Sequence, residues 1–117
     1  MEIRRWRGQA VGRNRAVEHN GLVWTVATAP NAEDGVAGQT RQCLAALERS
    51  LEEAGSWKTR ILSAQIFLAD MATKPEMDEA WNAWIGPNPE HWPQRACVGA
   101  ALAEGCLVEI ILLAAKH

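Results

Sequence analysis

The sequence predicts an α+β fold in which two helices cover one face of a mixed β-sheet. Three observations support this prediction. The apolar patterns follow the order strand, strand, strand, helix, strand, helix, strand, strand along the chain. The two helical segments stand out because their apolar residues recur every three or four positions. No repeat, low-complexity tract or linker interrupts the 117 residues, so we expect a single domain over residues 1–117.

The first part of the chain is predicted to form three strands. Glu2–Arg7 fits an edge strand and Ala16–His19 a second strand. Asn20-Gly21 is typical of a tight hairpin turn, and Leu22–Ala27 continues as the third strand. The second and third strands should therefore be antiparallel neighbours.

The middle of the chain predicts one long helix and one buried strand. Over Val36–Ala54, apolar or small residues lie on one side and charged residues on the other. Gly55 follows as the expected helix stop. Ile61–Ala69 is rich in apolar and β-branched residues, which favours a buried strand.

The last part predicts a second helix and two more strands. Thr73-Lys74-Pro75-Glu76 fits a capping box that opens a helix ending before Gly86-Pro87. Gln94–Leu102 and Cys106–Ala115 are predicted strands, joined as a hairpin by the short turn Ala103-Glu104-Gly105. The last strand is apolar on both faces, whereas two helices cover only one, so the open face should pack against other subunits.

Composition excludes several function classes. A domain of this length, with 48% apolar residues, buries one modest core and leaves little volume for a deep cleft within one chain. We therefore expect an active site to borrow a neighbouring subunit. The net charge of −2 does not favour nucleic acid or an anionic membrane as a partner. The absence of tyrosine excludes phenol chemistry.

The cysteine pattern and the terminal sequence predict a reduced, cytoplasmic protein. The three cysteines, Cys43, Cys97 and Cys106, have no CxxC spacing, which favours free thiols over disulfides or zinc. The three histidines are scattered, so we expect no metal. The basic start has no apolar segment behind it, and no apolar run approaches the ~20 residues of a membrane span.

Glu109 is the most informative candidate site residue. It is the only charge within Cys106–Ala115, and an unpaired buried carboxylate costs several kcal/mol. It must therefore be paired, protonated or in contact with a wet cavity. It is either a structural strand-end glutamate or a residue of a functional site.

Arg95 is the second candidate. In the predicted hairpin it shares a face with Cys97 and Glu109, with Arg95 and Glu109 roughly 13 Å apart along the strands. That distance is too long for a direct ion pair, so a ligand, water or another subunit would fill the gap. Arginine holds carboxylates in a bidentate manner, although a strand-start arginine can also simply be solvated.

Two other features have a functional and a structural interpretation. Cys97 is either a nucleophile or a small buried apolar residue, and no histidine at an interpretable spacing supports the former. The arginines near the N-terminus either contact RNA or form a solvated strand face, and no stacking residues or RNA-recognition motif favour RNA. These arginines are Arg4, Arg5, Arg7, Arg13 and Arg15.

Taken together, several segments resemble the RidA/YjgF family of small trimeric proteins. With Asn20–Trp24 preceding them in order, the match covers nearly the whole chain. The tryptophan-rich second helix, Met77–Trp84, is similar to a subgroup of that family. The segments that carry the resemblance are Gln39-Thr40-Arg41-Gln42 running to Leu51–Gly55, Ile66–Met71, and Pro93–Val98 with Val108-Glu109-Ile110.

The resemblance implies a fold, an assembly and an activity. The fold would be a chorismate-mutase-like sandwich, assembled as a homotrimer with the sheets packed into a central barrel. Ligands would bind in the clefts between subunits. Active members hydrolyse reactive 2-enamines and 2-imines, such as 2-aminoacrylate, to 2-keto acids and ammonia without a cofactor.

The same resemblance implies roles for individual residues. Arg95 would clamp the substrate carboxylate, Glu109 would position the attacking water, and the backbone of Cys97 would line the site. Arg13 lies near the position of the family's early-loop tyrosine, and Val26-Ala27 replaces a Ser-Gly pair, which places Arg13 and Ala27 beside the substrate. The second helix carries Asp78 where asparagine is usual.

Three functions therefore remain open. The first is an imine and enamine deaminase that acts through Arg95 and Glu109. The second is a non-catalytic regulatory trimer that binds carboxylates or keto acids, since Arg13, Val26 and Ala27 depart from the family pattern. The third is RNA binding or cleavage, which depends only on the N-terminal arginines.

Overall fold

The computed structural model describes residues 2–117 as a six-stranded mixed sheet with both helices on one face. The predicted α+β class is confirmed. The strands are β1 (Arg4–Arg7), β2 (Asn14–His19), β3 (Leu22–Thr28), β4 (Ile61–Leu68), β5 (Gln94–Gly99) and β6 (Val108–Ala115). The helices are α1 (Gly35–Glu53) and α2 (Lys74–Ile85).

The strands lie in the order β1-β2-β3-β6-β4-β5 across the sheet. The predicted hairpin between β2 and β3 is confirmed, with Asn20 at φ 59° and Gly21 at φ 84°. These left-handed values explain the Asn-Gly pair, because few other residues adopt them at low cost. β6 is antiparallel to β3 on one side and to β4 on the other, which makes it the centre of the sheet.

The predicted hairpin between the last two strands is wrong. β5 pairs with β4 in a parallel register and forms a sheet edge, so β4 separates it from β6. A helical crossover through α2 brings β5 beside β4 as a parallel neighbour. Residues 100–107 then pass around the end of β4, where Ala100 N donates to Leu68 O (2.9 Å) and Ala69 N donates to Leu107 O (3.0 Å).

This topology also corrects the predicted shared face of Arg95 and Glu109. Arg95 is level with Ala64, which pairs with Leu112, and both of these residues are buried beneath the helices. Glu109 pairs with Phe67, and the side chains of this pair lie on the face of the sheet away from the helices. Since successive residues of a strand point to opposite faces, Arg95 and Glu109 lie on opposite faces of the sheet.

The helices bury the apolar side of the sheet. Leu44, Leu47 and Leu51 of α1 are at most 1% exposed and join one core with Met77 and Trp81 of α2. α1 ends as predicted, because Gly55 at φ 88° follows it and Ser56 N donates to Leu51 O (2.8 Å).

The start of α2 differs from the prediction. Thr73 makes no capping hydrogen bond to the helix, and its hydroxyl instead donates to Asp70 O (2.6 Å). Asp70 caps the preceding short turn by accepting from Ala72 N (3.0 Å). The predicted capping box is therefore wrong, although Pro75 does lie in the first turn of the helix.

The face of the sheet opposite the helices is apolar and uncovered in the single chain. We call this surface the open face. Trp24 is 41% exposed and Val98 49% exposed. Other residues that share the face by register are Val17, Val26, Phe67, Ile111 and Leu113. Among residues 2–117, neither helix has the length and hydropathy needed to cross a membrane.

Candidate active site

Arg95 lies on the edge strand β5 and is anchored to α2. Its Nη2 donates to Asp78 Oδ1 at 2.7 Å, and its Cζ lies 5.5 Å from the centroid of the Trp81 ring. The Arg95 side chain is 21% exposed. The Arg95 side chain makes no other hydrogen bond within residues 2–117, so most of its guanidinium donors are available to a ligand.

Asp78 bridges two cations. Its Oδ2 accepts from Lys74 Nζ at 2.7 Å while its Oδ1 accepts from Arg95. Partial burial opposes ionisation of Asp78, but the hydrogen bonds and charges of Lys74 and Arg95 outweigh that effect and lower its pKa below the ordinary value. The carboxylate is therefore charged at neutral pH and fixes the position of Arg95.

Cys97 follows Arg95 on the same face of β5 and is half-buried. Burial raises the pKa of the Cys97 thiol, against the opposing positive charges of Arg95 and Lys74. The thiol is therefore largely protonated near neutral pH, which favours the interpretation of Cys97 as a lining residue over that of a nucleophile. We call Lys74, Asp78, Arg95 and Cys97 the Arg95 cluster.

Glu109 lies on the open face at the start of the central strand β6. Its Oε2 is 3.5 Å from Arg13 Nη1, and the two side chains are 26% and 43% exposed. Glu109 Oε1 has no hydrogen-bond partner within residues 2–117. We call these two residues the Glu109 pair. The structure thus brings together two predicted site residues that are 96 positions apart in the sequence.

Ala27 is near Glu109, but its side chain faces the other way. It pairs with Ile110 on the helix side and is 8% exposed, whereas its neighbour Thr28 pairs with Glu109. The Ala27 carbonyl lies 3.6 Å from the thiol of Cys43, whose pKa is raised to about 12, chiefly by burial. Ala27 is thus close to the Glu109 pair through its backbone rather than its side chain.

Within one chain the Arg95 cluster and the Glu109 pair are separate. Arg95 and Glu109 are separated by two strand spacings across the sheet and by three residues along the strand direction. Their Cα atoms are therefore roughly 14 Å apart. Because they also face opposite sides of the sheet, one small ligand cannot touch both side chains within a single chain.

Lys74 is the site residue that sequence reasoning missed. Its spacing of four residues from Asp78 on a helix was a visible signal, since side chains at i and i+4 are neighbours. The contact between Asp78 and Arg95 was not visible, because it joins α2 to a strand whose pairing was mispredicted.

Three of the N-terminal arginines, Arg4, Arg13 and Arg15, contact different parts of the molecule. Arg15 donates to Ser50 Oγ (3.0 Å) and Glu53 Oε2 (2.7 Å) on α1, and Arg13 is held by Glu109. Arg4 lies over the Trp6 ring at 4.9 Å. Their dispersal supports the interpretation as a solvated strand face.

A groove of about 560 Å³ runs between α1 and α2, but it contains none of the predicted site residues. Its lining includes Leu44, Ala80 and Trp84, with Glu76 and Glu79 along one side. Among residues 2–117, no three His, Cys, Asp or Glu side chains are grouped so that they could hold a metal ion.

Comparison with known proteins identifies the family. The family model described as "Endoribonuclease L-PSP" matches residues 4–116. A RutC family protein of Haemophilus ducreyi is 37% identical over 99 residues, which is 83% of each chain. The chain belongs to the RidA/YjgF family.

Other family members share the sequence and the fold. The RutC family protein YoaB of Escherichia coli is 37% identical over 86 residues, 74% of each chain. A crystal structure of a YjgF family protein from Neisseria meningitidis is similar with a TM-score of 0.90 and 38% identity, covering 100% of this chain and 97% of the other. The similarity to these RidA/YjgF relatives therefore extends to both the sequence and the fold.

Proposed function

We propose that this protein hydrolyses reactive 2-enamines and 2-imines of the 2-aminoacrylate type to 2-keto acids and ammonia. It would act as a homotrimer in the cytoplasm, with its sites in the clefts between subunits. Family membership supports the reaction class. The three cysteines are unpaired, which fits a reducing compartment.

The main observation behind this proposal is that the Arg95 guanidinium is anchored but only partly engaged. Asp78 anchors its guanidinium at 2.7 Å but engages only Nη2, so the remaining donors can hold a carboxylate. Lys74, Asp78 and Arg95 together carry one net positive charge, which favours an anionic ligand. A 2-imino acid supplies such a carboxylate beside its reactive carbon.

The open face supports a trimer. Its apolar side chains, including the exposed Trp24 and Val98, lie on neighbouring strands, and an assembly would remove them from water. Packing of the open face against other subunits would also place the Glu109 pair, which lies on that face, at an interface.

The separation of Arg95 and Glu109 within one chain supports a site shared between two subunits. Arg95 is on an edge strand, and Glu109 is on the open face. In a closed cyclic trimer each interface joins two different surfaces of adjacent subunits, so the sheet edge of one subunit can meet the open face of the next. We therefore propose that the Arg95 cluster of one subunit and the Glu109 pair of its neighbour form each site.

The proposed mechanism uses water as the only co-reactant. Arg95 holds the carboxylate and orients the imine carbon. Glu109 accepts a proton from water as the water oxygen bonds to that carbon, and this proton then passes to the imine nitrogen. In the resulting carbinolamine the hydroxyl proton transfers to the amino group as the C–N bond breaks, which leaves the keto oxygen and releases ammonia. An enamine first gains a proton at its terminal carbon and loses one from its nitrogen to become the imine.

A turnover assay tests this function. 2-Aminoacrylate is generated in situ, and release of pyruvate and ammonia is compared with and without the protein. We expect acceleration that falls at least about a hundredfold in Arg95→Ala, because the carboxylate loses its bidentate partner. Arg49→Ala, an exposed arginine of α1, is the matched control and should retain full activity. Absence of acceleration above buffer would exclude the deaminase.

A second candidate function is supported by Arg13. Its guanidinium engages one oxygen of Glu109, the residue that would activate water. A protein in which this pair persists would bind keto acids without turning over imines, as a non-catalytic regulatory trimer. Saturable keto-acid binding that depends on Arg95, without acceleration of the reaction, would favour this candidate.

A further inference from the structure

Asp78 places a negative charge directly beside the proposed carboxylate clamp. Its two oxygens are 2.7 Å from Arg95 Nη2 and from Lys74 Nζ, so one carboxylate serves two cations. The Asp78 side chain is 26% exposed and the Arg95 side chain 21%, which limits screening of these charges by water. Without Asp78, the same place would carry two positive charges.

The charge balance fits one carboxylate. Lys74 and Arg95 contribute two positive charges and Asp78 one negative charge, which leaves a single positive charge. The Glu109 pair, which the proposed trimer brings to the same cleft, is neutral as a pair. A ligand with one carboxylate therefore neutralises the site, whereas a second carboxylate would be uncompensated and repelled by Asp78.

We infer that Asp78 is a specificity-determining residue that restricts the Arg95 cluster to ligands with a single carboxylate. The inference rests on the proposed function, because it takes Arg95 as the carboxylate clamp. Asp78 acts on the ligand through charge and through its hold on Arg95. The substrate class is then monocarboxylic 2-imino acids with neutral side chains, and imines derived from acidic amino acids are excluded.

A pair of five-carbon keto acids separates charge from size. 2-Oxopentanoate carries one carboxylate and 2-oxoglutarate carries two, and both resemble the proposed product. Binding of each is measured by calorimetry to wild type and to Asp78→Asn, which removes the charge but keeps an oxygen that can accept from Arg95. We expect wild type to prefer 2-oxopentanoate, and Asp78→Asn to shift the ratio of dissociation constants toward 2-oxoglutarate by about fivefold or more.

Two further variants make the result specific. Glu79→Gln removes the same charge from the next position of α2, where the side chain is exposed and makes no ion pair within residues 2–117, so its ratio should match wild type. Lys74→Gln should shift the ratio in the opposite direction. It tests the inference even where Asp78→Asn fails to fold, as judged by thermal unfolding.

The outcomes separate this inference from the function on which it rests. Keto-acid binding that is absent, or that persists in Arg95→Ala, overturns the proposed site and this inference together. Binding that depends on Arg95, but with an unchanged ratio in Asp78→Asn or Lys74→Gln, overturns the specificity role alone. A shifted ratio in Glu79→Gln of the same size also overturns it, since the effect would then come from general charge.

Discussion

At Asp78, ionisation is coupled to folding as well as to the ligand. The hydrogen bonds and charges of Lys74 and Arg95 lower its pKa in the folded protein despite the opposing effect of burial. A carboxyl whose pKa is lower in the folded than in the unfolded state stabilises the fold at pH values above the unfolded pKa of about 3.9. That stabilisation is lost as the pH falls through the folded pKa.

Asp78→Asn should therefore destabilise the protein in a pH-dependent manner. We expect the free energy of unfolding to fall by less than about 1 kcal/mol at pH 7, because the ion pairs are partly exposed to solvent. The difference from wild type should shrink as the pH drops below 4, and urea denaturation at pH 7 and pH 3 measures it. A difference of equal size at both pH values would mean that the effect is not electrostatic.

Residue types identified candidates better than they identified contacts. Glu109 stands out as the only charge in an apolar strand, and its side chain lies 26% exposed beside Arg13. Arg95 stands out for the chemistry of its guanidinium, but its partner Asp78 belongs to another element. The shared face predicted for Arg95 and Glu109 was wrong because it depended on a strand pairing that residue types do not encode.

At the scale of elements, α2 controls the position of the Arg95 cluster. α2 is fastened to α1 by Trp84, whose Nε1 donates to Glu48 Oε1 at 2.8 Å. The Trp84 ring also lies 5.5 Å from that of Trp81, which in turn lies against Arg95. The attachment of α2 to α1 thus supports Asp78 and Arg95 indirectly.

Trp84→Phe should destabilise the fold. We expect the free energy of unfolding to fall by about 1–2 kcal/mol, because the hydrogen bond to Glu48 is lost and the smaller ring packs less well. Asn82→Ala, an exposed change on the same helix, serves as the control and should stay within about 0.5 kcal/mol of wild type. Chemical denaturation monitored by circular dichroism measures both variants. Equal effects would contradict the proposed role of Trp84.

The elements themselves were predictable from local pattern, and their pairing was not. α1 was found from its three-and-four spacing, and the hairpin of β2 and β3 from Asn20-Gly21. The parallel pairing of β4 with β5 follows from the α2 crossover, which is indicated by the order strand, helix, strand rather than by the pattern within any one strand. The sequence predicts strand and tight turn for residues 100–107, because alanines and leucines fit both. In the structure these residues form the connection between β5 and β6.

For the whole molecule, the open face predicts assembly. Ile111 lies on the central strand β6, faces away from the helices and does not belong to the buried core of the single chain. A charge at this position would be buried without a partner in a trimer, whereas a monomer would tolerate it.

Ile111→Lys should therefore abolish the trimer while leaving each chain folded. Light scattering coupled to gel filtration should give the mass of a trimer for wild type and a smaller mass for the variant, with circular dichroism unchanged. Val11→Lys, at a position that is 97% exposed in the turn between β1 and β2, should remain trimeric. A trimer that survives Ile111→Lys would place the interface on another surface.

The fold of the single chain also explains why the proposed site needs a second subunit. A single core of 117 residues has no deep cleft that holds both Arg95 and Glu109. Opposite faces of the sheet carry the Arg95 cluster and the Glu109 pair, so only a second copy of the chain can unite them. In the proposed function, each active site therefore takes Arg95 from one subunit and Glu109 from the next.

Subunit complementation measures whether Arg95 and Glu109 act from different subunits. Arg95→Ala and Glu109→Gln chains, each inactive alone, are refolded together in equal amounts, and hydrolysis of 2-aminoacrylate is measured. When the two variants assemble at random in equal amounts, each cleft has one chance in four of receiving an intact Arg95 and an intact Glu109 from adjacent subunits. We therefore predict recovery of about one quarter of the wild-type activity. Mixed trimers that show no more activity than either variant alone would contradict a site shared between subunits.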